Sequence, residues 1–211
     1  MSDPRRTPEV RLTQFVNYAS TAPSRRKSFL ADSGGYVFYK DFYLRFRRAV
    51  MSDRRTTRDG AAVHAAAQNA TPRYARRYGE LATKWSTEID RWGECTGLDV
   101  EQVTYPVGGL DVLVSVPFAE VYPDGGVELV FVRFTKDPRD GDVVDMMLRL
   151  VQRAYAGSLP EAVVTFLDLE HEVIRSTAGR DLSGHDFWIE TDAAGLAYVL
   201  GDDGEAGSDA A

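Results

Sequence analysis

A chain of 211 residues and 23.4 kDa, 44% hydrophobic and 11% aromatic, carries enough apolar material for one packed domain. Its lone cysteine, Cys95, excludes an internal disulfide and a multi-cysteine zinc site, and no run reaches the roughly 18–20 apolar residues of a membrane span. Arg5 and Arg6 precede no apolar segment, so no secretory signal is expected, and the composition is that of a cytoplasmic protein.

The formal net charge of −7 is unevenly spread. Residues 1–84 hold 17 Lys and Arg against 7 Asp and Glu, or +10; the remaining 8 basic and 25 acidic groups give residues 85–211 a charge of −17. A basic half is the footprint of a protein that binds phosphate backbones. The same charges can instead dock on the acidic half, within the chain or in a second copy.

In chain order, residues 1–10 are polar, contain Pro4 and Pro8, and read as a tail. From Arg11 to about Pro23, Leu12, Phe15, Val16 and Ala19 fall at helical spacing. Arg25, Arg26 and Lys27 follow, then a turn at Ser33-Gly34-Gly35. The segment YVFYKDFYLRFRRAVMSD puts Tyr39, Phe42, Tyr43, Phe46 and Val50 on one helical stripe, while Lys40, Arg47 and Arg48 point elsewhere. Aromatics between arginines can stack bases and grip phosphates, although such stripes are more often core. Arg54 and Arg55 open a polar stretch that leads to a short alanine-rich turn.

Thr71-Pro72 marks a helix start, and Tyr74, Tyr78, Leu81, Trp85, Ile89 and Trp92 step along one face of it. Arg76, Glu80, Lys84 and Glu88 form a charge ladder outside. Beyond Gly97 the period changes to two. VEQVTYPV, VLVSVPFAEVY and VELVFVRF read as strands separated by Gly108-Gly109 and Pro123-Asp124-Gly125-Gly126, with Pro117 marking a bulge or an edge. Asp142 is expected to cap a helix with Val144, Met147, Leu148, Val151 and Tyr155 inside. AVVTFLDL then reads as a strand parallel to VELVFVRF. Asp168, Glu170 and Glu172 alternate on its continuation, where they could hold a divalent ion or form a solvated strand end. HDFWIETD fits a strand or a helix start, and 201–211 an acidic tail.

Nucleophilic chemistry finds little support. Cys95 has no neighbouring histidine, no nucleophile elbow, P-loop or dinucleotide fingerprint occurs, and three scattered histidines make no metal set. The order aromatic helix, hairpin, apolar strand, helix, strand over residues 71–174 resembles the core of the PD-(D/E)XK, or restriction-endonuclease-like, superfamily, in particular its RecB-like branch. Gly108-Gly109-Leu110-Asp111 looks like that family's Gly-x-x-Asp motif, and Glu88 could match its helix glutamate. The Asp-x-Lys-Thr motif fails. Val132 and Phe134 stand where the acid and lysine would be, with Thr135 matching, and sliding to Glu128 puts Val130 at the lysine position. The segment around Asp41-Phe42-Tyr43 is also similar to actinobacterial proteins bearing DFY-x-x-x-R, a likeness that implies no activity.

The fold expected is therefore α+β: a helical region over 11–97 packed on a mixed β-β-β-α-β core over 98–200, restriction-endonuclease-like by resemblance. The function expected is non-catalytic binding of DNA or RNA through Arg25, Arg26, Lys27, Arg45, Arg47, Arg48, Arg54 and Arg55. A Mg²⁺-dependent phosphodiesterase using Glu88, Asp111 and Glu128 is the first alternative, and Mg²⁺ would be its cofactor. A structural or protein-interaction module, self-associating through its opposite charges, is the second.

Overall fold

The structure is a computed structural model that describes residues 7–28 and 42–202, apart from the side chains of Lys27, Ser28 and Asp202. Its elements are β1 (Glu9–Arg11), α1 (Leu12–Ala19), a 3-10 turn (Pro23–Ser28), α2 (Leu44–Arg55), α3 (Ala61–Gln68), and α4 (Pro72–Glu88) with a 3-10 extension (Ile89–Trp92). There follow β2 (Thr96–Leu98), β3 (Val103–Val107), β4 (Leu110–Val114), β5 (Phe118–Val121), β6 (Val127–Arg133), α5 (Gly141–Tyr155), β7 (Val163–Asp168) and β8 (Val173–Ser176), then a 3-10 turn (Ser183–His185) and α6 (Asp186–Asp202). The class is α+β, as expected.

Five strands in the order β2-β5-β6-β7-β8 form the central sheet, and β1-β4-β3 form a second, smaller one. The continuously apolar VELVFVR is a central strand, antiparallel to β5 and parallel to β7 across α5. Alternation divides the central sheet into two buried faces. Ala119, Leu129, Val164 and Phe166 pack with α1, α5, α6 and the small sheet. Phe118, Val130 and Leu167 pack with Phe46, Val50, Tyr78, Leu81, Trp85 and Trp92 of the α2–α4 layer.

Several expectations change. Glu9 and Val10 are not tail: with Arg11 they form β1, parallel to β4, and Val10 is buried. VLVSVPFAEVY is two strands rather than one. The chain leaves the small sheet after Val114 and enters the central sheet at Phe118, with Pro117, which can donate to neither ladder, in the crossing. The α5 cap is Asp140, whose carboxylate accepts from the Asp142 amide at 2.8 Å, so Asp142 lies in the first turn. α2 begins at Leu44, after Phe42 and Tyr43, and runs to Arg55, which puts Arg54 and Arg55 on its last turn rather than in a loop. Tyr39 and Ser33-Gly34-Gly35 lie outside the described residues. Of the two readings of HDFWIETD the helix start holds: α6 opens at Asp186, with His185 ending the 3-10 turn before it.

The hairpin between β3 and β4 presses onto α6. Gly108 has φ +53°, and a Cβ there would stand 2.7 Å from Ala193 Cβ, the Ala194 nitrogen and the Glu190 oxygen. Gly125 has φ +87° with nothing nearby. Left-handed strain and overpacking together should make Gly108→Ala cost about 2–4 kcal/mol in urea unfolding. Gly125→Ala carries the backbone strain alone, about 1 kcal/mol. Equal losses at the two sites would contradict the close docking of this hairpin on α6.

Candidate nucleic-acid interface

The sheet face toward α2–α4 contains two acids that alternation places inside it. Glu120 on β5 and Glu128 on β6 are directly opposed in the antiparallel ladder, and both are buried. Opposed like charges repel, so each needs its own partners. Glu120 takes the Arg54 Nε at 2.9 Å, and Arg58 Nη2 donates to its other oxygen. Arg58 also donates to the Arg54 carbonyl at 2.9 Å and the Cys95 carbonyl at 3.0 Å. The Arg54 guanidinium lies over the rings of Trp92 (5.4 Å) and Phe118 (5.9 Å), which supply the attraction its unbonded Nη1 lacks. Glu128 accepts from Thr165 Oγ1 (2.5 Å) and Arg91 (3.2 Å) on one oxygen, and from Trp92 Nε1 (2.6 Å) and Tyr122 (2.8 Å) on the other. Burial and the bond to Glu128 push the Tyr122 hydroxyl up to about 12, which keeps it a donor.

Ion pairing of this kind decides the fate of two cations expected at a phosphate surface. Arg54 is 2% exposed and committed to Glu120. Arg26 is bound to Asp192 at 2.5 Å and lies over Tyr18. Arg54 is thus closed to a ligand, and Arg26 is partly exposed but held by its carboxylate. The Lys27 side chain lies outside the described residues, and Arg25 and Arg47 are exposed but engage neighbours. Arg45, Arg48 and Arg55 share the exposed outer face of α2. Arg45 donates to the Asn69 carbonyl at 3.2 Å, which ties that face to the approach to α4.

The three candidate catalytic acids do not come together. Asp111 is on β4 in the small sheet, Glu128 is inside the central sheet facing α4, and Glu88 ends α4 half-exposed. Both Glu128 oxygens are filled by donors, which leaves no lone pair directed at a metal shared with Asp111. Asp168, Glu170 and Glu172 do not line one strand face either, because β7 ends at Asp168 and the chain turns back. Each has its own cation: Arg133 at 3.1 Å from Asp168, Arg77 on Glu170, and Lys84 at 3.7 Å from Glu172. The Lys84 link replaces the expected rung of the charge ladder, whose Arg76–Glu80 rung forms at 3.0 Å.

Among the described residues, Asp142, Asp145 and His185 are the one group whose ligand atoms lie within 4.8 Å of one another. Asp145 accepts two hydrogen bonds from Arg175 and two from Arg180, at 2.5–3.0 Å. Two guanidiniums stand where a cation would have to approach, so this is an ion-pair cluster.

The open feature is elsewhere. Phe42, Tyr43, Arg73, Arg76, Arg77, Glu80 and Lys136 line a cleft of about 470 Å³ off the carboxyl end of β6. Four cations and one acid line it; Arg76 pairs with that acid, Glu80, and Arg77 also with Glu170, which leaves Arg73 and Lys136 in excess. Arg73 and Arg76 occupy the first turns of α4 with no acid in its first turn. Positive charge at the positive end of a helix is unfavourable without an anion nearby. Phe42 and Tyr74 pack edge-to-face at 4.6 Å, and Arg73 lies 5.7 Å over Tyr74. Of these cations only Arg76 stood out in the sequence, as a ladder member; the signal passed over was three arginines, Arg73, Arg76 and Arg77, within five residues of a helix start. A second crevice, of about 270 Å³, lies beside Arg54, Arg55 and Arg58, but the first and last of these turn to Glu120.

No protein-family model matches the chain, and no curated protein matches it as a relative. No described helix is long and apolar enough to cross a membrane.

Burial alone would raise the Asp145 carboxyl, but the hydrogen bonds and charges of Arg175 and Arg180 outweigh it and hold the group far below the usual carboxylate range. A depressed folded value stabilises the protein above the unfolded value and loses that contribution as pH falls through the folded one. Asp145→Asn should therefore unfold more easily than wild type at neutral pH. The gap should shrink as pH drops below about 4. A gap independent of pH, read from urea midpoints, would contradict the role assigned to these ion pairs.

Proposed function

We propose that the chain is a non-catalytic nucleic-acid-binding protein that holds single-stranded nucleic acid in the cleft at the start of α4 and along the outer face of α2. Arg73, Arg76 and Lys136 contact phosphates within the cleft; Arg45, Arg48 and Arg55 extend the track. Phe42 and Tyr43 offer ring surface to unstacked bases. The observation that carries the reading is the cleft itself, where aromatic and cationic side chains converge with a single acid in an open volume. Such a mixture suits a strand whose bases are accessible, since every base has a π-face. Acids are too few there for cation chemistry, so no metal step is part of the reading.

Binding of a labelled single-stranded oligonucleotide, followed by fluorescence anisotropy, should weaken steeply between about 50 and 200 mM salt. The triple variant Arg73→Ala/Arg76→Ala/Lys136→Ala should keep the wild-type melting temperature and flatten the plot of log K against log salt by about 2, at roughly 0.7 per phosphate contact. Absence of binding to single- and double-stranded nucleic acid at about 50 mM salt, or a triple variant with an unchanged slope, would overturn the proposal.

A further inference from the structure

The cleft at the start of α4 is cationic, yet one of its walls carries an acid. Glu80 lines the same volume as Phe42, Tyr43, Arg73 and Lys136. A carboxylate repels phosphate, so in a site that only gripped a backbone it would weaken binding. Its use is with a neutral group that donates hydrogen bonds. The helix sets the spacing: Arg73, then Arg76 and Arg77, then Glu80 occupy successive turns of one face of α4. Glu80 therefore stands about 10 Å along the axis from Arg73. One nucleotide, from its phosphate to the far edge of its base, spans such a distance.

Glu80 is held in place from both sides. Arg76 Nε donates to its Oε1 at 3.0 Å, and Arg77 Nη1 to its Oε2 at 3.4 Å. Arg77 is itself anchored through Nη2, on Glu170 and on the Phe134 carbonyl at 3.3 Å, and it also bonds Tyr43. The hydrogen bond from Arg76 holds the Glu80 carboxyl below the usual range, so it is ionised at neutral pH. A carboxylate oxygen can accept two hydrogen bonds. Each Glu80 oxygen takes one from its arginine, so among the described residues each keeps one acceptor position for a ligand. The cleft thus presents two adjacent acceptors in a fixed orientation.

That pattern distinguishes the bases. Guanine carries two donors side by side on its Watson–Crick edge, N1–H and the N2 amine, and can give one to each oxygen. Adenine and cytosine set a ring-nitrogen acceptor beside their amine. Thymine and uracil set a single N–H between two carbonyls. Each of these four brings at least one lone pair against the carboxylate. In a single strand this edge is unpaired and open to be read.

We propose that Glu80 makes the cleft selective for guanine, accepting from N1–H and the N2 amine while Arg73 and Lys136 hold the phosphate and Phe42 and Tyr43 flank the base. The inference rests on the single-strand reading above and adds a base preference to it, which contacts to backbone and ring faces alone would not give.

Anisotropy titrations of the full chain at about 50 mM salt test it, using a labelled oligothymidine of about ten residues and the same strand with one central guanine. The guanine strand should bind about tenfold more tightly. Hypoxanthine in place of that guanine lacks the N2 amine and should remove most of the gain with the wild-type protein. Glu80→Gln turns one acceptor into a donor and should bring the guanine and thymidine strands level. Equal affinity of the wild type for both strands would overturn the guanine preference and leave the single-strand reading standing. A preference that survives hypoxanthine or Glu80→Gln would overturn the role of Glu80. Binding of neither strand would overturn the single-strand reading, and the preference with it.

Discussion

Two buried carboxylates set directly across one antiparallel ladder, Glu120 on β5 and Glu128 on β6, govern how this protein is assembled. Neither can be buried beside the other without cations. The cations come from the helical layer: Arg54 at the end of α2, Arg58 just beyond it, and Arg91 in the extension of α4. Hydrophobic burial would hold the α2–α4 layer on the sheet in many positions. The ion pairs, with Trp92 donating to Glu128 and lying under Arg54, select one.

The same constraint accounts for the distribution of charge. Much of the opposition between the basic first half and the acidic second half is resolved inside the molecule. Arg26 meets Asp192, Arg54 and Arg58 meet Glu120, Arg77 meets Glu170, and Lys84 meets Glu172. The internal docking that the sequence offered as an alternative is thus realised for these residues. It does not consume the outer face of α2 or the cleft beside α4, where cations remain in excess. A count of arginines along the chain overstates the binding surface and misplaces it, since neighbours one or two residues apart turn to different sides of a helix, as buried Arg54 and exposed Arg55 do.

The β6-α5-β7 unit was legible because its runs are long, bounded by turn residues and of a single period. The α4 stripe was legible for the same reason. The division of VLVSVPFAEVY was not, because alternation survives across Pro117 even though the strand changes sheets. That segment did carry a clue to the site: Glu120 continues the even-numbered series Val112, Val114, Val116 and Phe118, so an acid occupied an inward position and required a partner from elsewhere. α6 was obscured by the absence of amphipathic contrast, since Phe187 and Tyr198 stand exposed on it while Ile189, Ala193 and Leu196 are buried. The cleft depends on residues from the approach to α2, from α4 and from the loop after β6, and no local pattern could have joined them. The nuclease-like acids failed for a related reason: Asp111 and Glu128 belong to sheets that the sequence pattern had merged.

The most direct test is a double-mutant cycle on the pair that anchors the helical layer, with stability read from urea unfolding of Arg54→Met, Glu120→Leu and the two combined. Each single substitution strands a buried charge and should cost about 3–5 kcal/mol, while the double variant, with both charges of the pair gone, should fall well short of the sum. Losses that add to within about 0.5 kcal/mol would show that the two groups do not act on one another, and would contradict the arrangement described.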